Sequence, residues 1–349
     1  MRTVRIGNRQ FGDGHPVHVV FEMGPTIVDL DSALLLTQVA AAAGADAAKF
    51  QILDAERLVG DPHTAVSYLD ASGERRVEPM RDVLKRRELT PTQWQHVAET
   101  AHRLGLAFIA TIDFDHTLRL ACSIGADGLK ICSGDVGHVD WIKEVARCGK
   151  PILLDTGNAT LGEIEAAVEA ALSVGNEQIV VHVVPSGYPA RLESINLRLI
   201  TTMRQVFGDE IAVAFSDHTP GRDMDVAAVA LGAAQIEKTL TPSRSMLGPE
   251  HMMSLEPQEA AEFVQAVRAV EVALGRTRRV LGPEERRAKV GARRSAYTAM
   301  SVEVGEVLTA EMIDWRRPGG GIEPADGARL IGWELLRSLP AGHRLDWDY

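Results

Sequence analysis

The sequence predicts a closed (β/α)8 barrel followed by a small β-rich module, and three observations carry that expectation. Short β-branched apolar runs alternate with stretches of helical period eight times over about 270 residues, the length one all-parallel barrel takes. No Gly-x-Gly-x-x-Gly follows an early strand, which removes the main sign of an open doubly wound sheet. Past residue 292 the pattern changes to short β-like runs around the PGGG of 318–321.

In chain order the expected strands are VHVVFE (17–22), AAKFQ (47–51), AFIAT (107–111), GLKI (128–131), PILLD (151–155), QIVVHVV (178–184), IAVAF (211–215) and QIEK (235–238), each followed by a helix. Thr90, Pro91 and Gln93 supply an N-cap, a first-turn proline and a capping-box partner for TQWQHVAETAHRLG, which Gly105 stops. Thr160 and Glu163 do the same for the fifth helix. GADAAKF, GADGLKI and GAAQIEK place glycine and small residues just before a strand, as a tight turn out of a helix requires. The long polar segment 53–89 reads as an extended loop over the barrel mouth. Residues 275–294, dense in arginine and glutamate, read as solvated linker. The expected domains are therefore 1–280 (barrel), 281–292 (linker) and 293–349 (β-rich module).

Composition narrows the function. The 349 residues are 45% apolar and 24% charged, ordinary globular values that exclude disordered, collagen-like and disulfide-stapled chains. A net charge of −11 repels a polyanion, so no nucleic acid is expected as partner. Cys122, Cys132 and Cys148 lack paired spacing and read as small buried fillers. The opening residues have no secretory apolar core and no run of about 18 apolar residues occurs, so no membrane partner and a cytoplasmic location are expected.

Reactive groups of a barrel stand at the C-terminal ends of its strands. Glu22, Lys49, Gln51, Thr111, Lys130, Ser133, Asp155 and Thr156 fall there, as do Ser186, Tyr188, Ser216, Asp217, His218, Glu237 and Lys238. Two lysines, Lys49 and Lys130, converging with several hydroxyls would hold a small phosphorylated anion. His182, in an apolar strand, reads as a core histidine, and Trp315 as core of the second module. His251 reads as structural, while His116 and His138 lie near the mouth.

GADAAKFQ (44–51), KICSGD (130–135), GKPILLDTGNAT (149–160), SGYP (186–189), SDHTPG (216–221), ALGAAQIEK (230–238), GPEHMMSLEP (248–257), RRSAYTAM (293–300) and WRRPGGGI (315–322) resemble, in order, the sialic acid synthase family. The end of the chain resembles that family's antifreeze-like (SAF) domain, a β-clip. The resemblance implies a transferase that forms a carbon–carbon bond between phosphoenolpyruvate and an aldehyde sugar, giving a 2-keto-3-deoxy acid of the nonulosonate kind. It also implies a domain-swapped homodimer.

Position by position, Lys49, Thr111, Lys130, Ser133, Ser186 and Ser216 match contacts to phosphoenolpyruvate. Gln51, Asp135 and Tyr188 match sugar contacts, as does Arg317 from the neighbouring subunit. Glu22 matches a proton-transfer group, and His218 one of two histidines that bind a divalent metal, Mn²⁺ or Mg²⁺, acting as Lewis acid.

Four departures stand out. Thr239 occupies the second metal-histidine position, and Ser243 the place of a sugar-binding aspartate. Glu22 runs into MGPTIVD without the family's Asn-His pair. Asp155 replaces a phosphate-contacting serine, and a carboxylate about 4–5 Å from a phosphate charge costs on the order of 3–4 kcal/mol at an effective dielectric of about 20. Arg244 is the nearest sequence candidate to compensate. These departures make a non-standard aldehyde the expected substrate and leave the metal in doubt. Two other readings stay open: a metal-independent lyase or condensing enzyme using Lys49 or Lys130 as Schiff-base nucleophile, and a non-catalytic binding paralogue.

Overall fold

A computed structural model describes residues 1–348. The chain divides into two compact units, Met1–Gly275 and Arg276–Tyr349.

The first unit opens with a hairpin, β1 (Val4–Ile6) and β2 (Arg9–Phe11), that the sequence reading did not anticipate. Next come β3 (His18–Glu22) and β4 (Ala47–Ile52), a second hairpin of β5 (Ala65–Leu69) and β6 (Arg75–Pro79), then β7 (Ala107–Ile112), β8 (Gly128–Ile131), β9 (Ile152–Asp155), β10 (Ile179–Val183), β11 (Ala212–Asp217) and β12 (Gln235–Thr239). β3, β4 and β7 to β12 pair in parallel and close on themselves, β12 returning to β3. Every expected barrel strand is present, with ends shifted by no more than two residues. The Thr90 and Thr160 capping boxes form as the spacing requires, each hydroxyl accepting from the N–H three residues on.

Side chains alternate across a strand, so residues two apart share a face. The inward set divides into layers. Val20, Ala47, Ile109, Leu153, Val180, Ala212 and Ala214 make an apolar layer, and Val4, Ile6 and Phe11 of the first hairpin plug it from below. Two residues further along each strand come Glu22, Lys49, Thr111, Asp155, His182 and Ser216, and Lys130 and Glu237 join them. The outward set, with Phe21, Phe50, Phe108 and Phe215, packs under the surrounding helices. Lys238 and Asp217 belong to that outer set: Lys238 pairs with Asp217 and with Asp225 of the helix Asp223–Ala230, 3.3 Å away. They are struts, outside the mouth.

Two expectations need correction. Segment 53–89 is structured: the helix Ala55–Leu58, the β5–β6 hairpin and the helix Met80–Lys85. Asp70 turns the hairpin by accepting from the N–H groups of Ser72 and Glu74 at 2.9 and 3.0 Å. The expected linker 281–292 holds the helix Pro283–Ala292, with Pro at its start and Glu284 and Glu285 in the first turn. It buries no side chain, which is why no apolar period reveals it.

The second unit centres on Ala296, Val302, Leu308, Ile322, Leu330, Leu335, Leu339 and Leu345. It is mostly bridges and turns around β13 (Ser295–Thr298) and β14 (Ile313–Arg316). Trp315 packs partly buried against this core, and Gly327 leaves it room: a Cβ there would lie 2.7 Å from the indole. Of the three cysteines, all free, Cys148 is exposed and so is no buried filler. Among the described residues no helix is long and apolar enough to cross a membrane.

Candidate active site

A cavity of about 640 Å³ opens at the C-terminal ends of the barrel strands. Its floor is the polar layer of the barrel interior. Parallel register sets Glu22 beside Lys49, Thr111 beside Lys130, Asp155 beside His182 and Ser216 beside Glu237. Lys130, 1% exposed, donates to both Glu237 oxygens at 2.7 Å and forms an ion pair with Asp155 at 2.8 Å. Lys49 pairs with Glu22 and lies 3.2 Å from Glu237, and Ser216 donates to Glu237 at 3.0 Å. Glu22 also accepts from the Gly24 amide at 2.7 Å. Gly24 is required there: a Cβ would meet the Gln51 side chain and backbone at 2.6 Å.

Two ammonium groups thus face three carboxylates in a nearly dry layer. Burial works against each charge, and the neighbours decide which survives. Burial pulls Lys49 below the usual lysine range. It opposes Lys130 as well, but Asp155 and Glu237 outweigh it and raise that pKa. Burial would raise Glu237, yet Lys130 and Lys49 hold it well below the carboxylate range. Asp155 goes the other way: burial dominates over Lys130 and lifts it. Of Asp155 and Glu237, Asp155 is therefore the one that takes up a proton more readily. His182 is fully buried and held neutral by that burial, in keeping with a core histidine.

The sequence-derived residues do not all reach this cavity. Glu22, Lys49, Gln51, Thr111, Ser133, Asp155, Tyr188, Ser216 and His218 line it, and Lys130 sits in the layer beneath. Ser186 opens instead into an adjoining pocket, its hydroxyl donating to Asn158 at 2.8 Å. Asp135 stands behind the wall with Asp113, the Cys132 thiol donating to it at 3.5 Å. Arg317 belongs to the second unit. Arg244 cannot compensate for Asp155: it is spent on Glu259 and on the Ser254 carbonyl at 2.9 Å. Sequence reading missed Arg87 and Glu250, both on the cavity wall. Arg87 was hidden in a segment taken for loop, and Glu250 in a match, GPEH, that drew attention to its histidine. That histidine, His251, is structural, bonded to Thr241 at 2.7 Å.

His218 tests the expected metal. Its Nδ1 lies 2.9 Å from the Pro185 carbonyl, which can only accept, so Nδ1 carries the hydrogen and Nε2 the lone pair. Burial holds the ring at about 4, hence neutral. One imidazole nitrogen is thus ready as a ligand. Its companions are the Thr239 hydroxyl and the carboxylates of Glu22 and Glu237, already taken by lysines, an amide and a serine. One nitrogen and a neutral hydroxyl, with Glu22 and Glu237 held by the lysines, do not fit a resident Mn²⁺ or Mg²⁺.

Comparison with known proteins agrees with the fold. The NeuB family model matches residues 36–279 and the SAF domain model residues 293–348. The chain belongs to the NeuB family. Among relatives of this NeuB chain, an uncharacterized protein of Methanocaldococcus jannaschii is 34% identical across 100% of this chain and 98% of its own length. N,N'-diacetyllegionaminic acid synthase of Legionella pneumophila is 30% identical, covering 92% of this chain and 90% of that one. The crystal structure of N-acetylneuraminic acid synthetase from Leptospira borgpetersenii, in complex with citrate, superimposes with a TM-score of 0.73 at 27% identity, over 82% of this chain and 95% of that one.

Glu250 gives a direct check on the electrostatics of the wall. Burial lifts its carboxyl from 4.5 to about 7. A carboxyl raised in the folded state stabilises the fold below its unfolded value and loses that contribution as pH rises through the folded value. Glu250→Gln is expected to leave stability near pH 5 almost unchanged and to raise it at pH 8 by up to about 3 kcal/mol relative to wild type. Urea unfolding at the two pH values reads the difference; an equal effect at both would contradict it.

Proposed function

We propose that the chain condenses phosphoenolpyruvate with the open-chain aldehyde of a sugar, releasing phosphate and forming a 2-keto-3-deoxy sugar acid of the nonulosonate kind. The observation that carries this reading is the buried floor: Lys49 and Lys130 beneath one mouth with Thr111, Ser133 and Ser216 around it, in a NeuB chain. The named synthases among its relatives support it.

The lysines hold the phosphate and carboxylate of the enol ester. C3 then attacks the aldehyde carbon, forming the C–C bond and leaving an alkoxide. Water adds at C2. One of its protons passes through Glu22 to the alkoxide and the other leaves with the phosphate as the C2–O bond breaks. Neutral His218, with Nδ1 tied to Pro185, presents an accepting nitrogen to the sugar side, and its ring lies 4.6 Å from that of Tyr188. No step is assigned to a metal. On the same reading the chain acts as a cytoplasmic domain-swapped homodimer, with Arg317 of one protomer serving the sugar side of its partner, while Asp135, behind the wall, has no part in it.

The test is product analysis with phosphoenolpyruvate and a panel of neutral, N-acetylated and acidic aldoses. Phosphate is expected to appear mole for mole with a new keto acid, and chelation is expected to slow turnover by less than about tenfold, because the donor set holds no strong metal site. Trapping of a keto acid on Lys49 or Lys130 by borohydride would replace this reading with Schiff-base chemistry. Phosphoenolpyruvate binding with no turnover across the panel would favour a binding paralogue.

A further inference from the structure

The floor lysines each meet carboxylates, but one buried cation of the wall does not. Arg87 follows the helix Met80–Lys85, its N–H donating to the Leu84 carbonyl at 3.0 Å, and only 6% of it is exposed. It lines both the main cavity and an adjoining pocket of about 260 Å³. Among the described residues its guanidinium makes no ion pair and no side-chain hydrogen bond. Its neighbour Arg86 is paired with Glu78 at 2.7 Å. The nearest opposing charge is Glu250, beyond ion-pair distance and lifted by burial to about 7, so that it carries a proton much of the time near neutrality.

A guanidinium offers five donors in a rigid fork that suits an oxyanion, and the Arg87 nitrogens, none of them sealed from the cavity, meet no protein partner. Two anionic groups of phosphoenolpyruvate are already matched by Lys49 and Lys130. Arg87 lines the cavity with Tyr188, Glu250 and, from the helix Met80–Lys85, Met80, Val83 and Leu84.

We infer that Arg87 is the recognition site for an oxyanion, a carboxylate or a phosphate ester, carried by the aldehyde substrate itself. The inference rests on the condensing reading above and sharpens it: the sugar is acidic. Glu250 sits on the same wall and tolerates that anion in its protonated form.

The experiment uses the full chain saturated with phosphoenolpyruvate and three probes alike except at C6: N-acetylmannosamine, its 6-phosphate and N-acetylmannosaminuronate. Calorimetry is expected to show one or both charged probes binding at least tenfold more tightly than the neutral one. Arg87→Leu is expected to erase that preference, a loss of about tenfold to a hundredfold, while leaving phosphoenolpyruvate affinity unchanged; Arg87→Lys should keep part of it. Which charged probe wins separates carboxylate from phosphate. The inference is overturned if wild type shows no preference for a charged probe, including failure to bind any of the three. It is equally overturned if Arg87→Leu, folded by its thermal transition, weakens phosphoenolpyruvate instead. Should wild type fail to bind phosphoenolpyruvate at all, the condensing reading itself falls.

Discussion

Replacing Lys130 with methionine is expected to lower the unfolding free energy by about 3–5 kcal/mol and to weaken phosphoenolpyruvate binding by about a hundredfold. The first effect follows from burial. With the ammonium gone, Asp155 and Glu237 face each other across a layer where Lys49, 3.2 Å from Glu237, is the remaining cation. Removing one member of a buried ion cluster strands the rest, a larger loss than the cluster's net worth. A second variant separates fold from binding. Lys130→Met combined with Asp155→Asn relieves one stranded carboxylate and should recover part of the stability while binding remains poor. Urea unfolding and calorimetry on the same preparations read both quantities. A single variant as stable as wild type would mean that the pairs at 2.7 and 2.8 Å do not form.

Asp155→Ser should act in the opposite direction on the ligand. In the wild-type chain the Asp155 carboxylate occupies Lys130 at 2.8 Å, where an arriving anion would place its own oxygens. An anion beside Asp155 favours the protonated acid, toward which burial already pushes it despite Lys130. Binding to wild type therefore takes up a proton, and affinity falls as pH rises. Lys130, Lys49, Glu237 and His182 all face Asp155, and of these the two lysines resist that uptake. Serine removes both the competitor and the proton. Asp155→Ser is expected to bind phosphoenolpyruvate about tenfold more tightly near pH 8, a modest part of the full Coulomb repulsion of about 3–4 kcal/mol, with a flatter pH profile. Calorimetry in two buffers of different ionisation enthalpy measures the proton directly. Weaker binding in the variant would show that Asp155 assists the ligand.

The barrel was legible because its strands are short, apolar and separated by helices whose caps are written in sequence, as at Thr90 and Thr160. Position at the C-terminal ends of those strands also put Glu22, Lys49, Thr111, Asp155 and Ser216 at the mouth from sequence alone. Neighbours in sequence could not be sorted the same way at strand ends. Lys238 and Asp217 were grouped with the mouth, yet the pleat turns them outward to Asp225. The β5–β6 hairpin escaped notice because its strands are largely exposed and polar. Arg87 escaped with it: burial of an arginine is a tertiary fact, set by the walls that Met80, Val83 and Leu84 bring over the cavity. A lysine partner for Asp155 was one of the open options, but that it is Lys130 was not legible, since the pair joins two strands through space.

A crystal structure of the chain with phosphoenolpyruvate tests the central claim most directly. The enol ester is expected on the barrel floor, its phosphate and carboxylate oxygens within hydrogen-bond reach of Lys49 and Lys130, and Asp155 displaced from Lys130. Electron density for the ligand outside the barrel, with the Lys130–Asp155 pair intact, would contradict it.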